Sequence, residues 1–249
     1  MLNKQLDIKI MKYLRVIILP FLIIPYSMLI GFGGYLLRPF DHMNAGLLQK
    51  LYILWGKIIA WGMSIDIHPR DIENLNSDEP QLLLCNHQSN IDPVILWCIK
   101  PNAINLCFAA KDILFKLPIL GQLLKHNKSI VIERLSPKNS LKRLFAAFAK
   151  PPYIRSLVIF PEGTRNTSNI IMPLKKGPFI LAKKFNLRII PIRINGALEV
   201  LPPGGFAPNL GRKVSITCCK PITSEEVESL DIDKLVEMVH HSMQMAVTS

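Results

Sequence analysis

The sequence predicts an α/β fold: a largely parallel or mixed central sheet covered by helices, preceded by an N-terminal helical pair suited to a membrane. Three observations predict it. From residue 80 onward, short apolar runs alternate with amphipathic stretches, the pattern of strands and helices around a mostly parallel sheet. Residues 16–37 contain no charged side chain. As a helix rising ~1.5 Å per residue they would reach ~33 Å, enough to cross a hydrocarbon core. Residues 47–67 are apolar but carry Lys50, Lys57, Trp55 and Trp61. That mixture suits a helix at the interface, with tryptophans near the headgroups and lysines reaching outward.

The first apolar run follows Lys4, Lys9, Lys12 and Arg15, and no small-residue cleavage site follows it. Pro20 and Pro25 interrupt it, and Gly31, Gly33 and Gly34 loosen its end. The basic flank would hold the N-terminus in the cytoplasm, so a single crossing would place the rest of the chain outside. The expectation is therefore a pair that enters one leaflet and stays there; one or two true spans are the alternative. Up to residue 65 there are seven Lys/Arg and two Asp/Glu, a balance that anionic lipid attracts. This divides the chain into a membrane-associated segment, 1–68, and an α/β domain, 69–249. Expected strands in the latter are 81–85, 105–109, 129–132, 156–160, 188–194 and 213–218. Expected helices are 93–99, 119–125, 138–149, 176–185 and 224–245. The last starts at Thr223 or Ser224, with Glu225 and Glu226 in its first turn. Pro202, Pro203, Gly204 and Gly205 mark a turn-rich loop.

Composition narrows the function. A chain of 249 residues suits one domain with a small appendage. Hydrophobic residues make up 49% and mean hydropathy is +0.27, with the excess concentrated at the start. The net charge of +12 calls for an anionic partner. Aromatic content is 8% and no nucleic-acid module is present, so nucleic acid is disfavoured against anionic lipid or a phosphorylated substrate. The five cysteines, Cys85, Cys98, Cys107, Cys218 and Cys219, are odd in number, form no C-x-x-C pair and lie in apolar surroundings. They read as small buried hydrophobes in a reduced, cytoplasm-facing chain, and no metal-ligand cluster appears.

Two motifs follow apolar strands, where α/β proteins place their sites. The first is Asn86-His87-Gln88-Ser89-Asn90-Ile91-Asp92-Pro93. Four residues separate His87 from Asp92. In a turn the carboxylate can reach back to one imidazole nitrogen, freeing the other to take a proton. Alone the spacing is a weak signal: Asp92 before Pro93 also suits a helix start, and His87 a loop. Ser89 lacks a G-x-S-x-G elbow, which argues against a serine nucleophile. The second motif is Phe160-Pro161-Glu162-Gly163-Thr164-Arg165. Gly163 permits a tight turn and close approach to a ligand, Arg165 offers a fork suited to phosphate, and Glu162 can hold that arginine or a neighbouring donor. Its bland counterpart is a strand-ending turn with a solvated ion pair. Lys175 and Lys176 add positive charge further on, and Glu133-Arg134 ends the strand at 129–132.

Together these residues resemble the glycerolipid acyltransferase family, specifically the 1-acylglycerol-3-phosphate acyltransferases. The resemblance is ordered and covers roughly residues 80 to 200. Residues 86–93 resemble the family's N-H-x4-D block. Lys111, Pro118, Gly121 and Arg134 fall where its second block has a lysine, a proline, a glycine and a phosphate-binding arginine. Residues 160–165 resemble its F-P-E-G-T-R block unchanged, and Ile189-Ile190-Pro191-Ile192 its fourth block. Asn127, where family members often have glycine, and Glu133, where Asp commonly precedes the arginine, are mild departures that bear on substrate preference. The N-terminal pair resembles the family's membrane-docking element.

The resemblance implies transfer of a fatty acyl group from a thioester, acyl-CoA or acyl carrier protein, to the hydroxyl of lysophosphatidic acid. It implies His87 as general base, Asp92 as its orienting partner, and Lys111, Arg134, Glu162, Gly163, Thr164 and Arg165 around the substrate. Oxyanion donors would be backbone amides near Gly163. No cofactor is implied beyond the thioester co-substrate, and no metal. The implied location is a membrane, at the cytoplasmic face. Another lysophospholipid acceptor, phospholipid transacylation, a lipid hydrolase and a silent membrane-binding protein remain the alternatives.

Overall fold

The computed structural model describes residues 2–36, 41–75, 79–99, 106–118, 120–133, 136–149, 156–205 and 207–246. Arg134 lies outside them, as do the expected ends at residues 37, 105 and 119. The elements run in chain order as α1 (Leu2–Leu36), α2 (Asp41–Gly62), β1 (Asp66–Arg70), a 3-10 turn (Ile72–Leu75), β2 (Gln81–Cys85), α3 (Asp92–Cys98), β3 (Leu106–Lys111), α4 (Asp112–Lys116) and α5 (Leu120–His126). Then follow β4 (Ile130–Ile132), α6 (Pro137–Phe148), β5 (Ser156–Ile159), α7 (Gly177–Phe185), β6 (Arg188–Asn195), α8 (Ala197–Val200), β7 (Lys213–Cys218), α9 (Ser224–Ser229) and α10 (Ile232–Met245).

The strands form one sheet in the order β1-β7-β6-β2-β5-β3-β4. Every described pairing is parallel except β6 with β7, which is antiparallel. The sheet is thus mixed and largely parallel. β2 and β5 are buried throughout, as expected of central strands covered on both faces. Their side chains alternate between two cores. Leu83 and Cys85 join Trp97 and Phe108 on one face, while Leu82 and Leu84 join Phe179, Leu181 and Val239 on the other.

This arrangement positions the site. β2 and β5 lie side by side and parallel. The chain leaving β2 enters α3, on the first core; the chain leaving β5 reaches α7, on the second. The two connections depart to opposite faces, so the direction of winding changes at the carboxyl ends of these adjacent strands, the usual location of a ligand site.

The N-terminal pair packs on the body through aromatic contacts. Trp97 of α3 stacks on Tyr52 of α2 (centroids 5.4 Å apart) and meets Trp55 and Phe108 edge-on. Tyr52 donates from its hydroxyl to the Leu123 carbonyl at 3.0 Å. Trp55 donates from Nε1 to Ser27 Oγ at 2.8 Å, and Tyr26 from its hydroxyl to the Leu51 carbonyl at 3.1 Å. These bonds join α1 to α2.

Four expectations need correction. Pro20 and Pro25 do not interrupt α1, which runs on as one helix of 35 residues. Its face at Leu19, Ile23, Tyr26, Ser27 and Ile30 is buried or half-buried, so packing overrides the local proline penalty. The second helix ends at Gly62, not 67. Ser64 turns the chain at φ 54° while the Ile65 N–H closes on the Ala60 carbonyl at 2.8 Å. Asp66 and Ile67 belong instead to β1, which pairs with β7 and straddles the boundary drawn at residue 68. Polar and largely exposed, with Pro69 inside it, β1 lacks the apolar signature of a strand but suits an edge. The helix expected over 224–245 is two. Leu230 is extended, and Asp231 caps α10 by accepting from the Lys234 N–H at 2.8 Å. The start of α9 is a reciprocal box between Thr223 and Glu226.

Candidate active site

His87 sits one residue beyond the loop's anchor. Asn86 is buried, and its side-chain amide exchanges two hydrogen bonds with the Ile194 backbone, donating at 2.9 Å and accepting at 2.7 Å. An asparagine side chain thus continues the β2–β6 pairing for one more step and fixes where the loop leaves the sheet. His87 Nδ1 lies 2.7 Å from Asp92 Oδ2. The same oxygen accepts from the N–H groups of Gln88 (2.8 Å) and Ser89 (2.9 Å). Asp92 is fully buried, whereas the His87 side chain retains 20% exposure. The histidine stacks on Phe160, centroids 4.1 Å apart. A carboxylate accepting at Nδ1 holds the proton on that nitrogen and leaves Nε2 as the acceptor. Asp92 does not cap α3; no side-chain cap bond is made at its N-cap residue, Ile91. Its carboxylate turns back into the preceding loop.

The neighbouring nucleophile candidates are committed elsewhere. Ser89 Oγ donates to the Leu201 carbonyl at 2.6 Å and accepts from the Ile91 N–H. Burial, and then the charge of Asp92, push the Cys85 thiol well above its ordinary value, so it stays protonated and inert.

The second motif folds over the first. Residues 160–163 form a turn closed by the Gly163 N–H on the Phe160 carbonyl (3.0 Å), with Gly163 at φ 72°. A Cβ there would lie 2.5 Å from Lys175 Nζ. Glycine therefore meets both a left-handed backbone and a close lysine. Because its N–H is used in the turn, Gly163 itself is not among the oxyanion donors expected near it. Glu162 is buried. One carboxylate oxygen accepts from the His87 N–H at 2.9 Å; the other accepts from Asn166 Nδ2 and the Met172 N–H, each at 3.1 Å. Its role is internal: it holds the histidine's own backbone, not the arginine of its motif. Asn166 completes the clasp by donating from its N–H to the His87 carbonyl at 2.6 Å. Arg165 donates from Nη1 to Asn90 Oδ1 at 2.9 Å, linking the two loops at their rim. Thr164 stands beside it, exposed.

The other expected residues follow from strand order. β3 neighbours β5, and β4 neighbours β3, so Lys111 and Glu133 end strands at the same edge of the sheet as His87 and Glu162. The Glu133 carboxylate is paired with Arg143. Gly121, in the second block, lets α5 start against the preceding turn: a Cβ there would lie 2.2 Å from the Phe115 carbonyl oxygen. Sequence reasoning gave no individual role to Asn86 and Gln88 of the first motif and did not single out Asn166, Asn169 and Arg193, which bond around the site. Arg193 had a visible signal, a cation inside the apolar run Ile-Ile-Pro-Ile-Arg-Ile-Asn that follows Arg188 in β6.

An Asp-paired histidine at the carboxyl ends of adjacent parallel strands, with Ser89 bonded elsewhere and Cys85 buried, is an arrangement that can take a proton from a hydroxyl or from water. A family model described as Acyltransferase matches residues 66–195, and the chain belongs to the acyltransferase family. A 1-acyl-sn-glycerol-3-phosphate acyltransferase of Helicobacter pylori is 36% identical over 121 residues, covering 48% of this chain and 50% of that protein. A protein of the same name from Cocos nucifera is 30% identical over 199 residues, covering 74% and 59%. The chain thus spans about half the length of the curated relatives it matches. The crystal structure of a 1-acyl-sn-glycerophosphate acyltransferase from Thermotoga maritima shares the fold, with a TM-score of 0.78 over 96% of this chain and 95% of that one, at 21% identity.

Proposed function

We propose that the protein transfers a fatty acyl group from an acyl thioester, acyl-CoA or acyl carrier protein, to the sn-2 hydroxyl of 1-acylglycerol-3-phosphate, forming phosphatidic acid. The observation that carries this reading is the His87–Asp92 pair at 2.7 Å beneath the Phe-Pro-Glu-Gly-Thr-Arg turn. The names of the relatives supply the acceptor.

In this reading His87 Nε2 removes the proton from the acceptor hydroxyl as its oxygen attacks the thioester carbonyl. The new C–O bond forms and the tetrahedral oxyanion collapses with loss of the C–S bond. The thiolate leaves with the proton held on Nε2. Asp92 stabilises the transient imidazolium. No acyl-enzyme forms, in keeping with Ser89 and Cys85 being otherwise engaged. The acceptor phosphate lies at the rim, where Arg165 and Lys111 supply positive charge, and the family resemblance adds Arg134, outside the described residues, as a phosphate-binding arginine.

The helical pair α1 and α2 serves as the docking element on the lipid, and the α/β body that begins with β1 carries the chemistry at the cytoplasmic face of a membrane, the bacterial inner membrane. Its support is the exposed apolar surface of α1, including Tyr13, Ile17, Phe21, Met28 and Phe32. Purified protein supplied with acyl-CoA or acyl carrier protein thioester and lysophosphatidic acid tests the reaction. Wild type forms phosphatidic acid and His87→Ala does not, while acceptor binding persists. Near-normal turnover by His87→Ala would overturn the base assignment.

A further inference from the structure

Arg193 is the largest side chain fully buried in the described structure, 1% exposed, and the reaction as described gives it nothing to do. Burying a guanidinium costs several kcal/mol unless it is bonded and electrically compensated. It sits on β6, on the face opposite Ile192 and Ile194. Its Nε donates to Asn195 Oδ1 at 2.8 Å, and its Nη2 donates to the Asn169 carbonyl. The carboxylate that opposes the desolvation of this cation is Glu162.

Both groups serve one loop. Residues 162–172 carry no helix or strand, and residues 167–170 are exposed, so hydrogen bonds fix their path. Glu162 holds the loop to His87 at one end and to Met172 at the other. Asn169 is the middle point. Its side-chain oxygen accepts from Gln88 Nε2 at 3.1 Å, and its carbonyl accepts from Arg193. Gln88 also donates to the Ser168 carbonyl. A continuous chain therefore runs from Arg193 through Asn169 to Gln88, the residue after His87.

We infer that Arg193 is a positioning residue: from beneath the sheet end it pins Asn169, so that loop 162–172 closes on His87. The planar guanidinium does this with two groups at once, Nε on Asn195 Oδ1 and Nη2 on the Asn169 carbonyl, a fork that a lysine ammonium matches only in part. This role rests on the acyl-transfer reading for its effect on rate, but not for its effect on the loop.

The test uses Arg193→Lys and Arg193→Met in the full chain, with two readouts. Hydrogen–deuterium exchange needs no substrate. Both variants are expected to raise exchange roughly tenfold or more in peptides covering 86–92 and 162–172 while leaving 213–218 and 232–245 unchanged. In the acyltransferase assay, kcat falls roughly 10- to 100-fold, less for Arg193→Lys, with the acceptor KM nearly constant. Unchanged exchange in the two loops overturns the inference. So does a uniform rise across the molecule, which would make Arg193 a general core residue. If Arg193→Met fails to fold, Arg193→Lys decides by the same criteria. Should the wild type show no acyl transfer with any donor, the reaction reading fails and the exchange pattern still judges the loop.

Discussion

At the scale of single residues, the site depends on one carboxylate oxygen doing three jobs. Asp92 Oδ2 receives His87 Nδ1, the Gln88 N–H and the Ser89 N–H, all within 2.9 Å. It therefore sets the loop conformation and the histidine tautomer together. Asp92→Asn can keep an oxygen toward these three donors but removes the negative charge that stabilises the imidazolium, and places an amide N–H where Oδ1 is buried without a partner. We expect kcat to fall about 10³- to 10⁴-fold, the scale seen when the orienting carboxylate of a histidine base is lost. Turnover measured beside thermal unfolding checks this; a variant retaining a tenth of wild-type kcat would show that Asp92 is only structural. Glu162 is the second such point, and its substitution by Gln keeps the shape but replaces an acceptor oxygen with a donor. That leaves at least one buried N–H unpaired, at a cost of about 1–3 kcal/mol, to be read from the unfolding midpoint.

At the scale of elements, Trp97 is where the helical pair meets the body. It touches Tyr52 and Trp55 of α2 and Phe108 of β3, each at about the separation where aromatic pairs add ~0.5–1.5 kcal/mol beyond their burial. Gly56 allows this contact: a Cβ there would stand 3.1 Å from both Trp97 Cβ and the Val94 carbonyl oxygen. Trp97→Ala is expected to destabilise the protein by about 3–5 kcal/mol, measured by chemical unfolding. Because α3 begins at Asp92, the loss of this contact also loosens the His87 turn. The elements were well marked in the sequence where apolar periodicity was strong. β2, α7 and β7 fall within a residue of expectation. Where the local pattern was weak, or was outweighed by tertiary contacts, the reading went astray. β1 is polar because it is an edge, the last helix is broken by a single capping aspartate, and α1 survives its prolines because a whole face is packed.

At the scale of the whole molecule, one segment among the described residues, Ile10–Gly33 of α1, is long and apolar enough to cross a membrane, and 17% of that window is buried. The apolar cleft between the helices, lined by Leu22, Leu54, Ile58 and Trp61 with Lys57 at its side, continues this surface onto α2. A pair lying in one leaflet would leave both ends of the chain on one side. Impermeant maleimide applied to sealed vesicles should label Gln5→Cys and Lys138→Cys from the same face; labelling from opposite faces would mean a true span. The alternation of strands and helices, the apolar start and the two motifs can be read along the chain alone, because periodicity, charge-free length and residue spacing are properties of contiguous residues. That β2 and β5 are neighbours, and so how two loops about 75 residues apart become one site, emerges in the folded chain. Only there does Glu162 grip the backbone of His87, with a buried Arg193 behind both, because hydrogen bonds across a fold depend on strand order, which no local pattern encodes.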